Sequence, residues 1–511
     1  MIEERYNRQE LITGWKQEIL TDARITILGT NLLSQNILLS LSALGIGTLE
    51  IYENQRVYTT EKHKKSLLTL TGKKGESYAL CIEKMLQKIN PSTFVKGMNI
   101  DLSEYTIPLI GTPTLLIDAT NNEDLKRISL QYAIQKNIHY ISTSADDYSG
   151  IINIYTKDTL KKENIQKKEE KKKKNDFHPY FNQLPNGIIG GILGGMIIEE
   201  VRKILLPLEK TEEPIKKIMY SCITDERFIS SKKLDELLEK REKEKDANRD
   251  IVSDSEIDQE PNSSIYEKKG LQNKKALIIG AGALGNFVAL GLTYTHINSI
   301  DIMDYDTVET TNLNRQILFY DAVGKNKASA LCEKIKEINN SIKVKDFCER
   351  LDEKSNYFNE NNPDIIFDCV DSFAVRAYIN YFAVKHKIPL VSGGTNSKSG
   401  QIITYIPNKT SCLDCKIHVE KALAEHLQAA SCKFAPDSSV IMTNQIIGSM
   451  MVSEGINIFF EQNPLAKIFK YDSTAETRGG LIGSSSSCSC TKSENPHDWI
   501  SSVMSKYEMK K

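Results

Sequence analysis

The stretch Gly280 to Gln316 reads GAGALGNFVALGLTYTHINSIDIMDYDTVETTNLNRQ. An apolar run over 276–279 has the length of a buried strand and leads into Gly280-x-Gly282-x-x-Gly285. A helical stretch follows, then a strand over 299–303 that ends on Asp304 and Asp306. Glycines let the backbone approach a phosphate, the helix start offers it unpaired N–H groups, and an acidic residue about twenty positions on suits ribose hydroxyls. Many dehydrogenases share the glycine pattern. Asn312, Arg315 and Gln316, after a polar loop, lie outside the dehydrogenase pattern and move the expectation towards ATP.

Working outward, the same order of elements occurs once before. Residues 24–29 (RITILG) form a strand apolar enough for burial on both faces. A helix over 32–44 and a strand over 48–52 complete a βαβ unit, with further strands expected at 114–117, 139–141 and 150–155. The segment 276–280 matches 25–29, 364–368 matches 115–118, 389–406 matches 139–155, and 441–460 matches 187–206. An entire domain is therefore duplicated. Residues 1–230 are expected to hold the first copy and 271–490 the second, joined by a charged linker over 231–270 and followed by a tail over 491–511. The Lys-rich run 161–174 reads as a solvated insertion in the first copy.

Totals constrain the rest. A chain of 511 residues is too long for one core. With 66 Lys+Arg against 67 Asp+Glu the net charge is −1, so neither nucleic acid nor a membrane is expected as a partner. The N-terminus is polar, unlike a signal peptide, and the cytoplasm is the expected compartment. The most apolar run, 187–198, is closed by Glu199 and Glu200 and is too short to span a bilayer. Its glycines (Gly190, Gly191, Gly194, Gly195) allow a close neighbour, so it reads as a buried helix.

The copies differ where chemistry would sit. Gly280, Gly282 and Gly285 stand opposite Gly29, Asn31 and Ser34. Asp304 and Asp306 stand opposite Glu53 and Gln55, and Asp371 opposite Asn121. Residues 60–65 carry no counterpart of the loop 312–316. The first copy is expected to be a scaffold and the second to hold the site.

RYNRQ at Arg5–Gln9, the glycine loop, NLNRQ at Asn312–Gln316, GKNKA at Gly324–Ala328, DCVDSFAVR at Asp368–Arg376 and SGGTNSKSGQIITYIPNKTSCLDC at Ser392–Cys415 occur in that order. Together they make the chain resemble a ubiquitin-activating-type enzyme of the ThiF/MoeB-like adenylation superfamily, with an inactive and an active adenylation domain fused. The resemblance covers most of the chain. It implies an α/β fold of two Rossmann-like, doubly wound domains in a monomeric pseudo-dimer, plus a small zinc-bound element.

It also implies a reaction. The C-terminal carboxylate of a ubiquitin-like modifier would be joined to AMP, then passed to a cysteine as a thioester for a conjugating enzyme. Cations must shield the triphosphate. Arg315 and Lys327 are the local candidates, Lys327 being preferred to Lys325 on the family's spacing. Asp304 would take the ribose, Asn312 and Gln316 the phosphates, and Asp371 a Mg²⁺ ion. In the family the arginine matching Arg8 reaches across from the inactive domain, as an arginine finger in cis. Cys432, within the segment 416–440, matches the thioester cysteine of compact members, with Lys433 or a helix N-terminus to lower its pKa.

Of the ten cysteines, Cys412, Cys415, Cys488 and Cys490 form close pairs, and the resemblance makes them a structural zinc site. The family usually carries two CxxC pairs; here the second is CxC, and His418 or Cys432 are alternative ligands. Cys81, Cys222, Cys332, Cys348 and Cys369 read as core or incidental. Residues 499–507 read equally as a partner-docking helix or as a terminal helix on its own domain. Other functions compete with this one: an adenylyltransferase serving a sulfur carrier, a non-catalytic scaffold, and, least well fitted, an NAD-dependent dehydrogenase.

Overall fold

The computed structural model describes residues 2–54, 66–161, 186–210, 212–230, 233–234, 236, 269–352, 355–419 and 438–483. The Lys-rich run, most of the linker, Cys432, Cys488, Cys490 and the tail lie outside them.

Two sheets of eight strands repeat one topology. The first half contributes β1 (Arg24–Leu28), β2 (Thr48–Tyr52), β3 (Phe94–Met98), β4 (Leu115–Asp118), β5 (His139–Ala145), β6 (Ser149–Tyr155), β7 (Lys217–Ser221) and β8 (Phe228–Ser230). The second contributes β9 (Lys275–Ile279), β10 (Ser299–Met303), β11 (Lys343–Phe347), β12 (Ile365–Asp368), β13 (Leu390–Thr395), β14 (Ser399–Tyr405), β15 (Ile468–Asp472) and β16 (Gly479–Ile482). Their orders are β3-β2-β1-β4-β5-β6-β7-β8 and β11-β10-β9-β12-β13-β14-β15-β16. The first five strands of each order are parallel and the last three antiparallel. Central β1 and β9 are buried after their first residue, as strands covered on both faces must be. The order of strands along the sheet reverses between β1 and β4 and between β9 and β12, which opens a crevice beyond their C-terminal ends.

The edge strands β3 and β11 go beyond the sequence expectation. Their burial patterns are eBeBi and eieei in strand order (B buried, i intermediate, e exposed), so β11 has no buried residue to mark it. Pairing with β2 and β10, rather than an apolar pattern, makes them strands.

The two halves share one hydrophobic core. At its centre the helix Gly187–Leu205 packs against the helices Ile441–Phe460 and Leu32–Leu44. A β-carbon on Gly191 would come within 2.3 Å of Ser449 Oγ, and one on Gly195 within 2.7 Å of Ile446, so the glycines set the approach of the halves. This bears out the buried helix expected there. No helix of the described residues is long and apolar enough to cross a membrane.

Among the described residues two buried ion pairs cross the boundary, one in each direction. Arg227 Nε lies 2.8 Å from Glu454 Oε1 with both side chains wholly buried, and Arg478 Nη2 lies 2.9 Å from Glu200 Oε1. Glu454 also accepts the N–H of Leu465, and Glu200 that of Ile215. Each glutamate thus holds a loop of its own half and an arginine of the other. Removing either partner of the Arg227–Glu454 pair strands a buried charge, at a cost of about 3–5 kcal/mol, whereas Glu200 also pairs with Lys203 of its own helix.

Candidate active site

The glycine loop of the second half leaves β9 at Gly280, whose φ of +93° is left-handed. A β-carbon there would meet the Cys369 carbonyl oxygen at 2.8 Å, and one on Gly285 would meet the Gly280 carbonyl oxygen at 2.1 Å. Both glycines are needed for the turn itself. Gly282 has another role. Nothing lies within 4 Å of where its β-carbon would be, and as N-cap of the helix Ala283–Thr293 it supplies no side-chain cap. No N-cap side chain takes up the first N–H groups of that helix, the arrangement that suits a phosphate.

Asp304 sits at the end of β10 and ties the loop down. One carboxylate oxygen accepts the Ala281 N–H at 2.6 Å, the other the Asp306 N–H at 2.8 Å. Burial pushes its pKa above the ordinary carboxylate value, and these two N–H groups oppose the rise. Its remaining lone pairs are suited to ribose hydroxyls. The two lysines separate clearly. Lys327 Nζ is 2.9 Å from Asp306 Oδ2 with its side chain almost buried, whereas Lys325 pairs with Glu333 at the exposed surface.

Asn312 belongs to a 3-10 turn (Thr310–Asn312), where its side-chain oxygen accepts the Glu309 N–H at 3.1 Å. One oxygen of its amide is therefore occupied in shaping the loop. Gln316 is 4 % exposed and its Oε1 has no hydrogen-bond partner among the described residues. Such a buried orphan is costly unless water or a ligand meets it.

Arg315 is buried as well. Its Nη1 donates to the Thr311 carbonyl at 2.9 Å and to Asn314 Oδ1 at 2.8 Å. Burial first, and then the charge of Arg8, push its pKa down to about 10, so it stays charged at neutral pH. Arg8 comes from the N-terminal helix Ile2–Glu10, which belongs to the first half in sequence but lies against the 3-10 turn of the second. That helix is anchored by Arg5, which donates to the Ile89 carbonyl at 3.0 Å, and the Arg8 carbonyl accepts the Ser439 N–H. Among the described residues neither Arg8 nor Arg315 has a carboxylate within 4 Å. Two guanidinium groups from opposite halves thus lie close enough to repel, and the charge of Glu309 offsets this only in part.

Asp371 is exposed just beyond β12. The loop carrying it is braced by Arg376, whose Nη2 donates to the carbonyls of Val370 (2.6 Å) and Gly393 (2.7 Å) and whose Nε is 3.0 Å from buried Asp368 Oδ2. The sequence reading missed Arg376 as this brace, and it missed Asp306 as the partner of Lys327. Both lie within motifs it had quoted, but only the fold brings the partners together.

The expected zinc ligands are only half visible. Cys412 is the buried N-cap of the short helix Leu413–Ile417, and Cys415 is exposed on it. Cys488 and Cys490 lie outside the described residues, as does Cys432. Among the described residues no group of three or more metal-binding side chains gathers. Of the other cysteines, Cys81, Cys222, Cys332 and Cys369 are buried, as expected for core residues. Cys348 is exposed, where it meets Asn326 and Ser329.

The ThiF family model matches residues 6–236 and again 260–492. An adenylyltransferase and sulfurtransferase MOCS3-1 of Zea mays is 30 % identical over 206 residues, covering 39 % of this chain and 42 % of that protein. The sulfur carrier protein ThiS adenylyltransferase of Bacillus subtilis is 35 % identical over 151 residues, covering 29 % and 45 %. SUMO-activating enzyme subunit 2 of Dictyostelium discoideum is 30 % identical over 175 residues, covering 33 % and 26 %. The chain spans less than half the length of each of these relatives. The family model accounts for nearly the whole chain and matches it twice, once on each sheet; the chain belongs to the ThiF family.

Proposed function

We propose that the chain uses ATP to activate the C-terminal carboxylate of a small ubiquitin-like protein. The observation that carries the reading is the pair Arg8 and Arg315, only partly offset by Glu309, together with an uncapped helix start. Like charges held together in a buried place call for a polyanion. A triphosphate laid from the helix start at Gly282 towards these arginines would also meet Lys327 and the orphaned Gln316 Oε1. Asp304 would hold the ribose. Asp371 would hold a Mg²⁺ ion, which supplies charge neutralisation when bound.

The carboxylate oxygen attacks the α-phosphorus, the bond to the β-phosphate oxygen breaks, and pyrophosphate leaves. Arg8 and Arg315 stabilise charge on the departing group. In the second step the Cys432 thiolate attacks the acyl carbon of the adenylate, a thioester forms and AMP departs. A conjugating enzyme would then accept the acyl group. Cys412, Cys415, Cys488 and Cys490 would hold a structural zinc ion, and the chain would work in the cytoplasm as a monomeric pseudo-dimer.

A second reading stops after the first step and serves a sulfur carrier. The printed names of the Zea mays and Bacillus subtilis relatives favour it. ATP–pyrophosphate exchange with a panel of small modifier and sulfur-carrier proteins tests both. Asp371→Ala should reduce exchange by at least about a hundredfold. Cys432→Ala should keep exchange and lose a thiol-labile adduct. Exchange with no adduct in the wild type would favour the sulfur-carrier reading, and no exchange with any carrier would sink adenylation.

A further inference from the structure

Between the helix of Arg8 and the turn of Arg315 runs a chain of buried amides that joins the halves. Gln9 and Asn314 are both wholly buried. Gln9 Nε2 donates to the Leu44 carbonyl at 3.0 Å and to Gln17 Oε1 at 2.7 Å. Gln17 is held in turn, since its Oε1 also accepts the Trp15 indole N–H and its Nε2 donates to the Leu44 carbonyl. A carbonyl can only accept, so Leu44 determines which way the Gln9 amide faces. Gln9 Oε1 must then point the other way, where it accepts from Asn314 Nδ2 at 3.2 Å. That leaves Asn314 Oδ1 to accept from Arg315 Nη1 at 2.8 Å. Turning either amide over would set donor against donor or oxygen against oxygen in a buried place.

We propose that Gln9 and Asn314 are positioning residues for Arg315: an amide relay through which the first half orients the second half's buried guanidinium. The proposal rests on the adenylation reading, which gives Arg315 its anion. It adds a second contribution from the N-terminal helix. Arg8 brings charge, and Gln9, one residue along, brings direction. Arg315 is repelled by Arg8 and has no carboxylate within 4 Å among the described residues to hold it. Its place depends on neutral acceptors, the Thr311 carbonyl and the Asn314 amide.

The test uses the full chain, with MgATP affinity read by calorimetry, pyrophosphate exchange by isotope incorporation, and melting temperature alongside. Gln9→Leu and Asn314→Leu should each lower exchange about tenfold or more, the loss expected when a buried partner is left unsatisfied. The decisive comparison is made in an Arg315→Ala background. A residue that acts only through Arg315 has nothing further to lose there, so Gln9→Leu should change neither affinity nor exchange by more than about twofold. A merely structural Gln9 would instead multiply the two losses and would lower the melting temperature equally in both backgrounds. Gln9→Met, of similar shape and without hydrogen bonds, replaces Gln9→Leu should that variant not fold. Wild-type exchange that Gln9→Leu leaves unchanged, or losses that multiply, overturn the relay alone. A wild-type chain that neither binds MgATP nor exchanges overturns the adenylation reading and the relay together.

Discussion

The two glycine loops occupy the same place in two copies of one fold, and one of them is plugged by its own side chains. In the first half Asn31 takes the place of Gly282. Its Oδ1 accepts the Ser34 N–H and so caps the helix Leu32–Leu44, while its Nδ2 donates to the Ala119 carbonyl at 2.7 Å. Asn121 takes the place of Asp371. Rather than facing solvent, it exchanges two hydrogen bonds with the backbone of Ala145. Lys126 replaces Arg376 and turns to Ser144. The side chains that stand opposite Gly282 and Asp371 are thus bonded inward on the first half. At these two positions open donors and acceptors are satisfied internally, which stabilises the fold.

This contrast can be broken experimentally. The largest effect is expected across the boundary. Arg8→Ala removes the first half's cation, and exchange should fall on the order of a thousandfold, in the range of other arginine fingers. A loss below threefold would confine the chemistry to the second half. Transplanting the plug comes next. Gly282→Asn has room for its side chain and should cap its helix as Asn31 does. MgATP affinity should drop about tenfold or more, while the melting temperature holds or rises, since a cap contributes about 1 kcal/mol. Undiminished affinity would separate the helix start from the nucleotide. The smallest effect belongs to Asn31→Gly. Opening the first loop should cost a few tenths to about 1 kcal/mol in denaturant unfolding and leave exchange unchanged. A fall in exchange beyond twofold would show that the plugged loop still serves the reaction.

The duplicated order, the central strands and the buried glycine helix were legible in the sequence because each is an uninterrupted apolar run. β3 and β11 were not, since an edge strand covered on one side carries few buried residues, and pairing supplied the missing information. The candidate site was legible as residues and only partly as geometry. Gly280, Asp304 and Arg315 are where their motifs lead. The choice between Lys327 and Lys325 rested on spacing until their partners, Asp306 and Glu333, were placed. Gln9 and Asn314 lie inside quoted motifs, yet a contact between residues 305 positions apart leaves no local pattern. Asn312 was assigned to phosphate, whereas its oxygen first shapes the turn that carries Arg315.

The crossed ion pairs bear on how freely the first half can drift. Its glycine loop has lost two of three glycines, but Arg227 and Glu200 are counter-ions for Glu454 and Arg478. A substitution that neutralised either would leave its opposite number charged and dry in the half that retains the candidate site. Divergence of the two copies is therefore constrained at these four positions as a matched set. A replacement of Arg227 or Glu200 is tolerable only together with its answer on the other side, so the first half inherits a lasting obligation to the second.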